Sequence, residues 1–112
     1  NSMNDSSKSK SSYISSDMKI DGHIDSEGTI LISGKVTGNV KANSLTLETS
    51  GVISGNVRAA DTELMGSQKG NISSKRLAII DGAKLRGNIV CEELIIEHGS
   101  DITGKISALK KP

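Results

Sequence analysis

The chain has 112 residues and a formal net charge of +1, with 14 Lys plus Arg against 13 Asp plus Glu. It contains 34% apolar residues, no Trp, no Phe and a single tyrosine, Tyr13. This length allows one small domain, the lack of aromatic residues disfavours a sandwich, barrel or α/β core, and the balanced charge does not indicate nucleic-acid binding.

The composition also bears on the cellular compartment. No apolar run is long enough to cross a membrane, and no signal-peptide core occurs near the start of the sequence. The one cysteine, Cys91, cannot form an internal disulfide, which fits a reducing environment. The sequence therefore predicts a cytoplasmic protein.

The first part of the chain is polar. Residues 1–16 contain eight serines and only three sizeable apolar side chains, those of Met3, Tyr13 and Ile14. Such a segment buries too little surface to offset its conformational entropy. We expect residues 1–16 to form a disordered tail, residues 17–109 to form the folded domain, and residues 110–112 to form a short C-terminal tail.

From Met18 onward the chain repeats a unit of about seventeen residues. A glycine marks each unit, at spacings of 16, 17, 15, 17 and 17 residues, and an Ile or Val follows it two positions later. A small residue stands four positions after the glycine, and most units carry a second apolar pair midway. The marker pairs are Gly22/Ile24, Gly38/Val40, Gly55/Val57, Gly70/Ile72, Gly87/Ile89 and Gly104/Ile106.

The periodicity within each unit is that of β-strands. Apolar and polar residues alternate over short stretches such as Ser44–Glu48, and no segment keeps a helical stripe of apolar residues. About three short strands fit into each unit, so that equivalent strands of successive units stack in parallel and place like residues above like. The sequence predicts an all-β, single-stranded parallel β-helix of about six short triangular coils. We expect it to be right-handed, as parallel crossovers usually are.

Few residues suggest chemistry. His23 and His98 lie far apart at expected outward positions, and Cys91 falls in the column of small residues, so neither a metal site nor a nucleophile is predicted. Lys41 and Arg58 stand at equivalent outward positions on a face of mixed charge. The glycines are expected at corners that need a positive φ, and the asparagines that follow four of them are expected to form a ladder between coils. These are Asn39, Asn56, Asn71 and Asn88. No cofactor or small-molecule substrate is predicted.

The two ends of the predicted β-helix lack caps. Monomeric solenoids cover their terminal coils with a helix or a polar repeat, and the sequence encodes no amphipathic helix beside either end coil. Uncovered coils favour the addition of another copy, so we expect end-to-end polymerisation. The candidate interface residues are Met18, Ile20 and Ile24 at one end and Ile102, Ile106 and Leu109 at the other.

These features together resemble the bactofilin family of bacterial polymer-forming cytoskeletal proteins. The resemblance covers about residues 18–109 and rests on the six Gly-x-[Ile/Val] markers, on units such as Leu45-x-Leu47…Gly51-x-Ile53-x-Gly55-x-Val57-x-Ala59, and on the polar N-terminal segment. It implies a right-handed β-helix that polymerises through its end coils without nucleotide.

The resemblance further implies a scaffold at the cytoplasmic face of the inner membrane. Such a scaffold positions cell-wall enzymes and influences cell shape. Family members attach to membrane through apolar residues of the N-terminal tail, for which this chain offers Met3, Tyr13 and Ile14.

Two other classes of function remain open. One is a β-helical binding module that docks on a partner filament without polymerising. The other is an enzyme with a left-handed β-helix, either an acyltransferase or a γ-type carbonic anhydrase. The enzymes need a strict six-residue repeat, and the carbonic anhydrase needs three histidines at a subunit interface. Uneven coils and two distant histidines, His23 and His98, disfavour them.

Overall fold

The computed structural model of the chain describes residues 10–109, which form fourteen β-strands arranged in two sheets. Sheet 1 contains β1 (Ser11–Ile14), β3 (Ile24–Asp25), β4 (Thr29–Ile32), β6 (Val40–Leu47), β8 (Val57–Leu64), β10 (Ile72–Ile79), β12 (Ile89–Ile96) and β14 (Ile106–Ala108). Sheet 2 contains β2 (Lys19–Asp21), β5 (Lys35–Thr37), β7 (Val52–Ser54), β9 (Ser67–Lys69), β11 (Lys84–Arg86) and β13 (Asp101–Thr103).

Every strand pair is parallel and joins equivalent residues of neighbouring coils. Ile72 of β10, for example, lies between Val57 of β8 and Ile89 of β12. In sheet 2, Val36 of β5 lies between Ile20 of β2 and Ile53 of β7. The prediction of a parallel β-solenoid of about six coils is therefore confirmed.

Each central coil has three sides but contains only two strands, one in each sheet. Strand β6 alternates inward and outward except at Asn43 and Ser44, which are consecutive positions outside the core, so the inward set shifts from Val40 and Ala42 to Leu45 and Leu47. The strand turns a corner there, and its pairing with the next coil skips Asn43 and resumes at Ser44 in the same register. Two of the three strands predicted for each coil are thus joined into one long strand. The exception is the coil in which β3 and β4 are separate.

The core consists of aliphatic residues stacked in columns along the axis. The column of Ile32, Leu47, Leu64 and Ile79 is 0–1% exposed at every level. Stacking like residues fills a narrow interior without aromatic side chains, as the composition indicated.

Polar residues interrupt these columns on two neighbouring coils. Thr62 Oγ1 and Ser74 Oγ form a buried hydrogen bond of 3.0 Å, and Gln68 donates from Nε2 to the Gly55 carbonyl at 2.6 Å. Gln68 Oε1 is buried and has no hydrogen-bond partner among residues 10–109. Thr62 and Gln68 lie in the fifteen-residue unit, the shortest of the chain.

The marker glycines occupy one corner of every coil, with φ between 135° and 155°. At Gly87, φ is 149°, and a Cβ atom would lie 2.0 Å from the carbonyl oxygen of Gly70 in the preceding coil. Both the backbone conformation and the close approach of the coils require glycine there. No residue other than glycine has a positive φ within residues 10–109, so the asparagines at this corner do not adopt the left-handed conformation.

The solenoid begins earlier in the chain than the sequence predicted. Strand β1 (Ser11–Ile14) pairs in parallel with β4 (Thr29–Ile32), and Ile14 is 5% exposed. The predicted boundary at residue 17 is therefore too late. Residues 11–14 gain backbone hydrogen bonds from the neighbouring coil, which offset the lack of apolar residues in this serine-rich stretch. The remaining predicted tails, residues 1–9 and 110–112, lie outside the described residues.

Candidate functional site: the two tips of the solenoid

The C-terminal tip of the solenoid exposes residues of the core columns. Ile79 and Ile89 are both 0% exposed, whereas Ile96 and Ile106, the next residues of the same two columns, are 45% and 40% exposed. The difference arises because no strand covers the last coil within residues 10–109. The side chains that fill the interior elsewhere form an apolar surface at this tip.

Three further residues complete the C-terminal tip. Leu94 and Ile102 are partly buried and pack against the core, and Leu109 is 56% exposed. The backbone N–H of Leu109 donates to the carbonyl of Cys91 at 2.6 Å, which holds the end of the described chain against β12. The outer edges of β13, of β14 and of the second half of β12 carry backbone groups with no further strand to pair with among the described residues.

The N-terminal tip is less open. Ile20 and Ile24 are partly buried and pack against the core, and Met18 is 41% exposed. Ile14 is buried and begins the column that ends at Ile96. The tip is thus apolar at its centre and has the free edges of β1, β2 and β3 around it.

All six predicted interface residues lie on a terminal coil, and Leu94 and Ile96 were missed. The sequence shows both as the last of the midway apolar pairs. In the structure this column ends on β12, because β14 stacks only on residues 89–91 and leaves the rest of β12 uncovered. The position at which the apolar column ends in the sequence indicates these tip residues. Their residue types do not, since they are the same as those of the core.

The candidate membrane contacts are separated by the structure. Tyr13 points outward and is 58% exposed, whereas Ile14 is buried in the first coil and is not available for a membrane. The placement of Ile14 is therefore corrected, since alternation along β1 puts neighbouring side chains on opposite sides. Met3 lies outside the described residues.

Charged pairs lie on the sides of the solenoid. A hydrogen bond from the Arg76 guanidinium lowers the pKa of Asp61, and the same pair raises the pKa of Arg76. Arg86 Nη2 lies 2.9 Å from Asp101 Oδ2 and lowers the pKa of that carboxyl group. Both pairs link neighbouring coils at exposed positions, where such pairs add little stability.

Cys91 has the environment expected of a small core residue. It is 1% exposed and stacks between Ser74 and Ala108, and burial raises the pKa of its thiol. A thiol that stays protonated at neutral pH is a poor nucleophile. His23 and His98 are both exposed, and residues 10–109 contain no cluster of three or more His, Cys, Asp and Glu side chains suited to a metal.

A ladder of side chains runs along the glycine corner. The Oδ1 atom of each asparagine accepts the backbone N–H of the equivalent residue in the next coil, at 2.9–3.0 Å. His23 begins the ladder by accepting the N–H of Asn39 at Nδ1, 3.0 Å away. The predicted asparagine ladder is present, and it satisfies a backbone donor at each of five levels.

Substitution of Asn71 tests the ladder. Asn71→Ala removes the acceptor for the Asn88 N–H and is expected to lower the free energy of unfolding by about 1 kcal/mol. Asn71→Asp keeps an oxygen at the same place and is expected to stay within about 0.5 kcal/mol of the parent. Denaturant titration followed by circular dichroism measures both variants, and equal losses in the two would contradict a role for the acceptor.

No helix within the described part of the chain is long and apolar enough to cross a membrane.

Comparisons with known proteins agree on one family. The family described as "Bactofilin: Polymer-forming cytoskeletal" matches residues 12–107. Bactofilin BacO of Myxococcus xanthus is 28% identical over 95 residues, covering 83% of this chain and 75% of BacO.

Two solved structures share the fold. The solid-state NMR structure of the cytoskeletal bactofilin BacA is 31% identical, with a TM-score of 0.82 over 90% of this chain and 98% of BacA. A cryo-EM reconstruction of Thermus thermophilus bactofilin double helical filaments has a TM-score of 0.83 at 23% identity, over 88% of this chain and 99% of that one.

Proposed function

Since the chain belongs to the bactofilin family of polymer-forming cytoskeletal proteins, we propose that it assembles into filaments by contact between the tips of successive solenoids. The observation that carries this proposal is the exposure of Ile96 and Ile106 at column positions that are fully buried one coil earlier. An exposed apolar surface of this kind marks a site of contact with another surface.

The contact needs no chemical step. Burial of apolar side chains provides the driving force, and the free backbone edges of the terminal strands provide direction and register. The apolar centre of each tip consists of residues already held in place by the coil beneath. Little conformational entropy is then lost on association, and neither nucleotide nor cofactor is required in this scheme.

A single charge at each tip tests the proposal. Ile96→Glu at the C-terminal tip and Ile24→Glu at the N-terminal tip are expected to abolish filaments in negative-stain micrographs and pelleting in ultracentrifugation. The folded state should persist, because each side chain sits at an end of its column. Circular dichroism and thermal unfolding measure the fold.

Ile95→Glu is the matched control for Ile96→Glu. Ile95 is the preceding residue of β12 and points outward with 65% exposure, so the same charge enters the same strand on the other side. We expect this control to form filaments of parental length. Filaments from both Ile24→Glu and Ile96→Glu at parental yield would contradict assembly through the tips.

The oligomers that remain report which tips meet. If unlike tips meet, each single variant stays monomeric and an equimolar mixture of Ile24→Glu and Ile96→Glu forms dimers. If like tips meet, each single variant forms dimers through its intact tip. Sedimentation velocity distinguishes the two arrangements, and both are forms of the proposed contact.

We further propose that the filament serves as a scaffold for cell-wall enzymes at the cytoplasmic face of the inner membrane and thereby influences cell shape. Family membership supports this role, and Tyr13, with Met3, is the candidate membrane contact. The alternative, a module that docks on a partner filament, predicts that the pure protein stays monomeric at high concentration. The micrographs described above separate these two functions.

A further inference from the structure

A shallow groove runs along the glycine corner of the solenoid, parallel to its axis. It has a volume of about 550 Å³ and spans five coils, between the ladder residues and the neighbouring outward residues of sheet 1. Four steps of ~4.8 Å make the groove about 19 Å long. We call it the corner groove. Its outward column contains Asp25, Lys41, Arg58, Ser73 and Val90.

The ladder leaves one set of hydrogen-bond donors unused. Each Oδ1 atom of Asn39, Asn56, Asn71 and Asn88 is occupied by a backbone N–H of the next coil. The corresponding Nδ2 groups have no acceptor among residues 10–109, and all four side chains are exposed. The corner groove therefore presents a row of amide donors at intervals of one coil.

The charges in the middle of the corner groove are positive. Lys41 and Arg58 stand on adjacent coils, and the ion pairs within the described chain involve other residues. Asp25, the one carboxylate of the lining, lies at the N-terminal end of the groove. A ligand in the central coils thus meets donors and cations and must supply acceptors and negative charge.

We propose that the corner groove binds an extended, acidic segment of a partner protein, about six residues long. An extended chain advances about 3.3 Å per residue, so six residues match the groove length. Alternate side chains of such a segment face the groove, where carboxylates reach Lys41 and Arg58 and backbone carbonyls accept from the asparagine amides.

The segments of this chain outside the described residues do not have this chemistry. Residues 1–9 contain one acidic and one basic side chain, and residues 110–112 are Lys-Lys-Pro. A lipid surface offers no row of backbone carbonyls to accept from the asparagine amides of the corner groove. We assign the occupant to another protein because the charge of Lys41 and Arg58 and the row of amide donors match an acidic peptide. This proposal does not depend on polymerisation.

The test uses a fluorescent six-residue peptide that alternates glutamate and leucine, and the full chain. Fluorescence anisotropy at low ionic strength should show saturable binding of one peptide per chain. The Lys41→Glu/Arg58→Glu double variant should weaken the affinity at least tenfold, and added salt should weaken it in the parent. Asn71→Asp, which keeps the ladder acceptor and removes the amide donor, should also weaken it.

A second double variant provides the control. Lys35→Glu/Lys84→Glu makes the same charge change at exposed positions of sheet 2, away from the corner groove, and should bind the peptide within twofold of the parent. Equal weakening in both double variants, or equal binding of a peptide with lysine in place of glutamate, would overturn the proposal. So would absence of peptide binding, including a case in which only anionic vesicles bind. Filament micrographs of the same variants test polymerisation separately.

Discussion

Leu47→Asp is expected to unfold the protein at 25 °C. Leu47 is 0% exposed and stacks between Ile32 and Leu64, so its column offers no polar group to an inserted carboxylate. Burial of an unpaired charge costs several kcal/mol, which is comparable with the whole stability of a small domain. Loss of the β signal in far-UV circular dichroism is the expected result, and a folded variant would contradict the assigned core.

Asn43→Asp is the control for this change. Asn43 lies on the same strand, β6, at the exposed corner of the coil. The substitution adds the same charge and preserves the shape of the side chain, so we expect a change of less than about 0.5 kcal/mol. Both substitutions are best measured in the Ile96→Glu background, in which no filaments are expected. Filament formation would otherwise add apparent stability.

Gly87→Ala is expected to disrupt the fold although it exchanges only a single hydrogen for a methyl group. At this residue φ is 149°, and the new Cβ would lie 2.0 Å from the Gly70 carbonyl oxygen, which belongs to backbone and cannot move aside alone. The two neighbouring coils would have to separate, breaking hydrogen bonds on both sides of the corner. We expect a loss of about 3 kcal/mol or more in the free energy of unfolding.

Gly22→Ala separates steric overlap from backbone strain. Gly22 has φ of 135° at the same corner, but nothing lies within 4 Å of its added Cβ because it belongs to the first coil at that corner. Only the conformational cost of about 1–2 kcal/mol then remains. Urea titration of both variants gives the difference, and equal losses would show that contact between coils is not the reason for the glycines.

The repeat predicted most of the fold because each coil obeys the same packing rule. The inward residues Ile24, Val40 and Val57 occur in one column of the sequence and in one column of the structure. The glycine corner and its ladder were predictable for the same reason. Residue type and spacing repeat the pattern of the coil in each unit. The fifteen-residue unit, with Thr62 and Gln68 at core positions, therefore does not obscure the fold.

The boundaries and tips were less predictable because repetition ends there. Strand β1 is serine-rich and is stabilised by pairing with β4, which local composition does not show. The exposure of Ile96 depends on where β14 stops, a property of the whole last coil. The donors of the corner groove depend on which atom of each asparagine side chain is already hydrogen-bonded. The sequence does not show this, because it depends on the orientation of the side chain in the folded protein.

The coils differ in length only outside their paired strands. Four residues separate β6 from β7, two separate β8 from β9, and four separate β10 from β11, yet the strands on both sides keep the same alignment. Deleting or duplicating one internal coil would therefore move one end of the solenoid by ~4.8 Å and leave the residues exposed at both ends unchanged. Such proteins can vary in size during evolution without acquiring new assembly contacts.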